Sequence, residues 1–390
     1  MTASFTLKLP TKTVFGPGSL NKLPGLAGNY GKRPLLVSGA RSLQINPDYL
    51  PFRQQLQESC TQVFPVSIPH EPSPEIIDSI VGNHRETGID LVIAIGGGSC
   101  LDGGKAISVM LTENGTITDL LEGVGSRSPK GTRLPLIAVP TTSGTGSEAT
   151  CNAVISAVGD EGFKKSLRHD NFLPDLALVD PSLTASCPKD VTAACGMDCF
   201  SQLVEGYLSS KATGITDSFA LEGIRAVKRS LEQTVCDGSD IDARSDMAYA
   251  TLLSGMVLTN AGLGTVHGFA SVIGGLFPIP HGLVCGRLME PTNRFTLKKL
   301  RSSSTDNPAL AKYATLGRIF SSRFNCSDAW YQDFFIDELG RLSQEFSLQS
   351  FGSYGLQSSA LFAIAKQTGN KNNPIVLEKQ ELVSILTNCL

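Results

Sequence analysis

Asp90-Leu-Val-Ile-Ala-Ile-Gly-Gly-Gly-Ser-Cys-Leu-Asp-Gly-Gly-Lys105 is the stretch on which the fold turns. Residues 90–95 form an apolar run of strand length, and residues 100–111 have the spacing and polar outer face of a helix. Glycines at the junction let the backbone approach a ligand closely, and a helix N-terminus offers free N–H groups to a pyrophosphate. The run is neither the G-x-G-x-x-G fingerprint nor a P-loop with its Lys-Ser/Thr ending. A tight turn would account for the glycines alone; Ser99, Asp102 and Lys105 favour a phosphate cradle.

Outward from this motif, residues 34–38, 62–66 and 134–139 are further buried-strand runs, with a helical pattern over residues 74–87. Strand and helix in alternation predict a doubly wound, mostly parallel sheet that binds ligands at the carboxyl ends of its strands. Pro140-Thr-Thr-Ser-Gly-Thr-Gly-Ser-Glu-Ala-Thr150 follows one of these strands and supplies hydroxyls and backbone donors at the same edge. It is a polar loop by composition, and two such loops at strand ends favour a nucleotide site. After a last strand at residues 176–180 the pattern becomes helical, over residues 191–208, 217–235, 243–262, 309–324 and 330–346. The expected division is an α/β domain over residues 1–183 and an all-helical domain over residues 184–390.

A chain of 390 residues is long enough for two domains at roughly 100 to 200 residues each, with chemistry in the cleft between them. Thirty-three basic against 36 acidic side chains leave no positive surplus for nucleic acid or an anionic membrane. No basic region followed by an apolar stretch stands at the N-terminus, and the ten cysteines lack C-x-x-C pairs. The expectation is a cytoplasmic protein whose cysteines, Cys199 among them, are core residues. Residues 251–280 are the most apolar, yet Asn260, His267 and six glycines interrupt them, which suits a buried helical core.

The chain has five histidines, and two of them, His267 and His281, lie in the helical half with Asp198. Asp198 and Gln202 stand at i and i+4 on one helix face. A carboxylate with two imidazoles suits Fe(II) or Zn(II); satisfied cleft histidines are the plainer alternative.

Together these motifs resemble the iron-containing, group III alcohol dehydrogenase family, whose fold is shared with dehydroquinate synthase. The resemblance also takes in Phe15-Gly-Pro-Gly-Ser-Leu20, Leu173-Pro-Asp-Leu-Ala-Leu-Val-Asp-Pro181, Gly196-Met-Asp198, Gly264-Thr-Val-His-Gly268, Pro280-His-Gly282 and Asn372-Asn-Pro374. It implies NAD or NADP held by Gly39, Gly96, Gly97, Gly98, Ser99, Asp102, Thr141, Thr142, Asn152 and Lys165. It implies a divalent metal, Fe(II) or else Zn(II) or Mn(II), at Asp198, Gln202, His267 and His281. The activity implied is hydride transfer between nicotinamide and a small aldehyde, ketone or alcohol in a homodimeric enzyme.

Three positions depart from the family pattern. Gln202 stands where a third His is usual, which weakens the metal or allows a metal-independent reductase. Ser271 replaces a second cleft His, leaving the proton to a water or a hydroxyl. Gly39 replaces the Asp that repels a 2′-phosphate, so NADPH is favoured, with Arg41 or Lys32 as its partner. A hydroxyacid-oxoacid transhydrogenase and a dehydroquinate synthase-like lyase are the rival activities. Against the lyase, the helical half shows no dense set of cations around the histidines. Substrate contacts are expected from Cys151, Phe163, Phe269 and Phe277, and an anionic tail is as compatible as an alkyl one.

Overall fold

The computed structural model describes residues 4–39, 49–303 and 306–390. Strands β1 (Thr13–Phe15), β2 (Pro34–Gly39), β3 (Phe64–Ile68), β4 (Leu91–Gly96), β5 (Leu136–Pro140) and β8 (Leu176–Val179) form one sheet in the order β1-β8-β5-β4-β2-β3. All its pairings are parallel. All six residues of β4 are buried, because helices cover both faces of such a sheet and leave no polar alternation. The helices of this half are α1 (Leu23–Ala27), α2 (Tyr49–Ser59), α3 (Pro74–His84) and α4 (Gly98–Met110). Strand order reverses between β2 and β4, so a crevice opens beyond their carboxyl ends, at Gly39 and Gly96.

Helix α4 lies close against the sheet for a local reason. A Cβ on Gly104 would stand 2.5 Å from that of Ala94, and one on Gly103 2.5 Å from Ile68 Cδ1. Between β5 and β8 the chain makes an antiparallel hairpin of β6 (Asn152–Ala157) and β7 (Phe163–Arg168), which the sequence reading did not contain. Its Phe-Lys-Lys-Ser-Leu-Arg strand hides only Leu167 fully, so hydrophobic periodicity gives it little signal.

The helices that follow are α5 (Lys189–Leu208), α6 (Gly214–Cys236), α7 (Ile241–Ala261), α8 (Thr265–Leu276), α9 (His281–Ser303), α10 (Pro308–Phe320), α11 (Asp328–Glu345), α12 (Leu361–Gln367) and α13 (Lys379–Thr387). Among the described residues no strand follows Val179, and no single helix is long and apolar enough to cross a membrane. The apolar stretch at 251–280 is divided between α7 and α8, which bend by 98° at Gly262 to Gly264. Gly262 takes φ 69° there, a value that favours glycine. The bend places His267 in the first turn of α8, and α9 begins at His281.

Candidate active site

The glycine loop and the loop after β5 face one another. Gly97 caps α4 with no side chain bonded to the helix end, so the first N–H groups stay available. A Cβ on Gly98 would meet Thr145 Cγ2 at 2.6 Å, and one on Gly97 would meet Thr142 at 3.4 Å. Asp102, about one turn further, accepts from Ser147 Oγ (2.5 Å) and Val154 N (2.9 Å). Lys105 is buried, and its ammonium donates to Ser147 O, Thr150 Oγ1 and Asn152 O at 2.7–2.9 Å. Burial raises the Asp102 carboxyl pKa and lowers that of the Lys105 ammonium, while each opposes the other's shift. Asp102 and Lys105 thus tie the two loops and the hairpin into one rigid cradle.

Gly98, Ser99, Asp102 and Asn152 line a cleft of about 480 Å³ whose opposite wall carries Gln202, His267 and His281. Asn152 Oδ1 is buried on this wall without a partner among the described residues, as a group that accepts from a bound cofactor would be. Thr141 is buried and its hydroxyl is likewise unpartnered. Gly39 ends β2 with its N 3.5 Å from where a Cβ on Gly96 would sit. Lys32 lies at the other end of that strand, roughly 20 Å away at strand rise, with its ammonium on Ser59 O. It therefore cannot be the phosphate partner expected of it; Arg41 lies outside the described residues.

Lysine 165 is not on the cleft wall. Alternation along β7 turns Lys164, Ser166 and Arg168 toward the cleft, with Lys164 bonded to Glu71 at 2.5 Å. Lys165 borders an adjoining cavity with Phe163. Of the other expected substrate contacts, Phe269 and Cys151 are buried and Phe277 packs in the core beside α8, so none of the three lines the cleft. Its apolar lining is Pro72, Val154, Leu258 and Leu263.

Four side chains converge on the helical wall: Asp198 from α5, His267 from α8, and His281 and Cys285 from α9. His267 Nε2 is 3.3 Å from Asp198 Oδ1, and His281 Nε2 is 3.7 Å from the same oxygen. Cys285 Sγ lies 3.5 Å from His267 Nε2 and 3.8 Å from His281 Nε2. A tetrahedral ion with bonds of about 2.05 Å to N and O and 2.3 Å to S would space N/O donors about 3.3 Å apart and N/S donors about 3.5 Å. These four distances match those edges to within a few tenths of an ångström. Cys285 was read from sequence as core; its place at i+4 from His281, on the same helix face, is the signal that could have found it. Gln202 lines the cleft, and its Oε1 accepts from Ser254 Oγ at 3.2 Å.

Neighbouring groups orient the cluster. Glu205 accepts from Val266 N through Oε1 and bonds His267 Nδ1 through Oε2, both at 2.6 Å, which turns Nε2 toward Asp198. Burial opposes charge on Asp198, yet His281 and His267 hold its carboxyl down at about 2. Burial pushes His281 down to about 4, so it is a neutral imidazole at pH 7, and pushes the Cys285 thiol up to about 12. Burial also works against charge on His267, but Cys285, Glu205 and Asp198 outweigh it and raise its pKa well above the ordinary value. A bound cation would reverse the order at Cys285, since a coordinated thiol is deprotonated.

A doubly wound, dinucleotide-type sheet thus faces a cluster of carboxylate, imidazole and thiol donors. Residues 10–181 match the model of the iron-containing alcohol dehydrogenases, and residues 192–390 match the C-terminal model of the same family. The chain belongs to the iron-containing alcohol dehydrogenase family. It is 38% identical over 297 residues to long-chain-alcohol dehydrogenase 1 of Geobacillus thermodenitrificans, covering 76% of this chain and 72% of that one. It is 28% identical to the NAD-dependent methanol dehydrogenase of Bacillus methanolicus over 98% of this chain and 99% of that one. The solved structure of a 1,3-propanediol oxidoreductase superposes with a TM-score of 0.87 at 28% identity, over the full length of both chains.

Proposed function

We propose that the protein is an NAD(P)-dependent dehydrogenase that moves a hydride between nicotinamide C4 and the carbonyl carbon of a small aldehyde or ketone, or the reverse. One observation carries this reading: the glycine cradle and two of the four clustered donors, His267 and His281, line a single cleft of about 480 Å³. Gly97, Gly98 and Ser99 hold the diphosphate at the N-terminus of α4, and Asn152 accepts from the cofactor. The unpartnered Asn152 oxygen and the glycine positions fit that ligand.

Asp198, His267, His281 and Cys285 fit a divalent ion, and Gln202, the other ligand expected from the sequence, lines the same cleft. When bound, such an ion supplies a Lewis acid that polarises a carbonyl and stabilises developing alkoxide charge. A thiolate beside two imidazoles favours Zn(II) or Fe(II) over Mn(II). Ser271 Oγ donates to His267 O at 2.8 Å, so the transferred proton comes from water that Ser271 and its neighbours position. Gly39 puts no carboxylate at the end of β2, which supports use of NADPH at least as readily as NADH. The cytoplasm and a homodimer complete the reading.

Metal analysis of the purified protein, with activity before and after chelation, tests it. Activity should fall with the metal; full activity in a metal-free sample would overturn the metal's role. Stoichiometric consumption of NAD(P)H separates a reductase from a lyase, which returns its cofactor. Tenfold better catalytic efficiency with NADH than with NADPH would overturn the cofactor preference.

A further inference from the structure

Sequence reading placed no dense set of cations around the histidines, and within the helical half that is nearly so. Tertiary structure gathers them from two halves. Lys164 and Arg168 face the cleft from β7, and Lys371 faces it from the segment after α12. Lys371 adopts φ 46°, a left-handed conformation that a side chain with a Cβ rarely takes. Its ammonium donates to His267 O (2.9 Å) and to Ser271 Oγ (3.3 Å), which fixes a positive charge one helical turn along α8 from the donor cluster.

The charges do not cancel. Lys164 is paired with Glu71 and Arg168 with Glu122 at 3.0 Å, while Lys165 and Lys371 have no carboxylate within ion-pair distance among the described residues. Lys164, Lys165, Arg168 and Lys371 border an adjoining cavity of about 370 Å³ together with Ser166 and Ser271. Lys371 is thus the cation on the cleft wall, and Lys165 the one on the adjoining cavity, that no carboxylate pairs directly among the described residues. Hydroxyls and ammonium groups around such a space are the donors that an oxyanion accepts from.

We propose that the substrate is a short aldehyde with a sulfonate or phosphonate tail, the tail held by Lys371, Arg168 and Ser166 while the carbonyl faces the donor cluster. The proposal rests on reading this cleft as a carbonyl-reduction site. A helical turn of about 5.4 Å between His267 and Ser271 matches a two- or three-carbon chain. The reaction balances as hydride from NAD(P)H to the carbonyl carbon and a proton from water to its oxygen. The C=O π bond breaks, C–H and O–H bonds form, NAD(P)⁺ leaves and the tail is unchanged.

Initial rates with NADPH on 2-oxoethanesulfonate, 2-oxoethylphosphonate and propanal test this. At least one anionic aldehyde should exceed propanal about tenfold or more in kcat/KM, with an advantage that shrinks as salt rises. Arg168→Gln should cut that preference about tenfold through KM for the anionic substrate. Lys371→Gly, which suits the backbone conformation, should do the same, and Lys371→Arg should retain most of it. Propanal reduced as well as both anionic aldehydes overturns the proposal and leaves the reductase reading intact. NADPH oxidation by none of the three removes that reading instead. An equal rise in KM for NADPH with every substrate in Arg168→Gln assigns the cations to cofactor phosphate and also overturns the proposal.

Discussion

Replacement of Glu148 by Gln should flatten the protein's loss of stability between acid and neutral pH. Glu148 lies in the short turn Ser147–Ala149 that follows the cofactor loop, 1% exposed, with its Oε1 buried and unpartnered. Burial pushes its carboxyl from 4.5 up to about 7, with its own backbone N–H and Lys105 offsetting only part of that shift. Below pH 4.5 the group is neutral in both folded and unfolded chains, and its contribution is fully present. As pH rises through 7 the unfolded chain releases the proton first, so stability falls and then levels off. The separation of about 2.5 pK units, at 1.36 kcal/mol each, amounts to about 3 kcal/mol. Gln has nearly the same shape and no proton to lose. Urea unfolding followed by circular dichroism from about pH 4 to about pH 8 should show the wild type losing roughly that amount relative to Glu148→Gln. Parallel stability curves would refute the assignment, as would a variant less stable than wild type at pH 8.

Three further outcomes follow from the site geometry. Cobalt-substituted wild type should show thiolate-to-cobalt charge transfer in the near ultraviolet, and Cys285→Ser should abolish it; a wild-type spectrum without that band removes Cys285 from the ligand set. Glu205→Gln weakens the anchor on His267 Nδ1 and should lower metal affinity roughly 10- to 100-fold, read by equilibrium dialysis; unchanged retention would show that Val266 and the fold alone hold the imidazole. Gly98→Ala puts a methyl 2.6 Å from Thr145 Cγ2 and should raise Kd for NAD(P)H about tenfold or more by fluorescence titration, with metal content unchanged.

The parallel sheet was legible because β2, β4, β5 and β8 are local apolar runs, and periodicity over five residues needs no partner to be seen. The glycine cradle was legible for the same reason: strand end, glycines and helix start are contiguous in the chain. Asp198, His267 and His281 could be singled out by residue type and by resemblance. The helices that hold them meet only when α7 and α8 bend at Gly262 and α9 starts at His281.

Tertiary structure decided what depends on direction. Cys285 looked like any core cysteine until α9 turned it beside two imidazoles, and only packing shows that the Gln202 amide oxygen accepts from Ser254. The choice of Lys164 over Lys165 rests on the pleat of a hairpin whose polar sequence carries almost no periodic signal. The cation-lined end of the cleft joins residues more than 200 positions apart, and attraction or repulsion among charges is set by distance in space. Sequence alone therefore determined the kind of fold and the place of the glycine loop at the carboxyl edge of the sheet. Packing alone determined which atoms face the cleft, and with them which donors cluster and which cations stand without a carboxylate partner among the described residues.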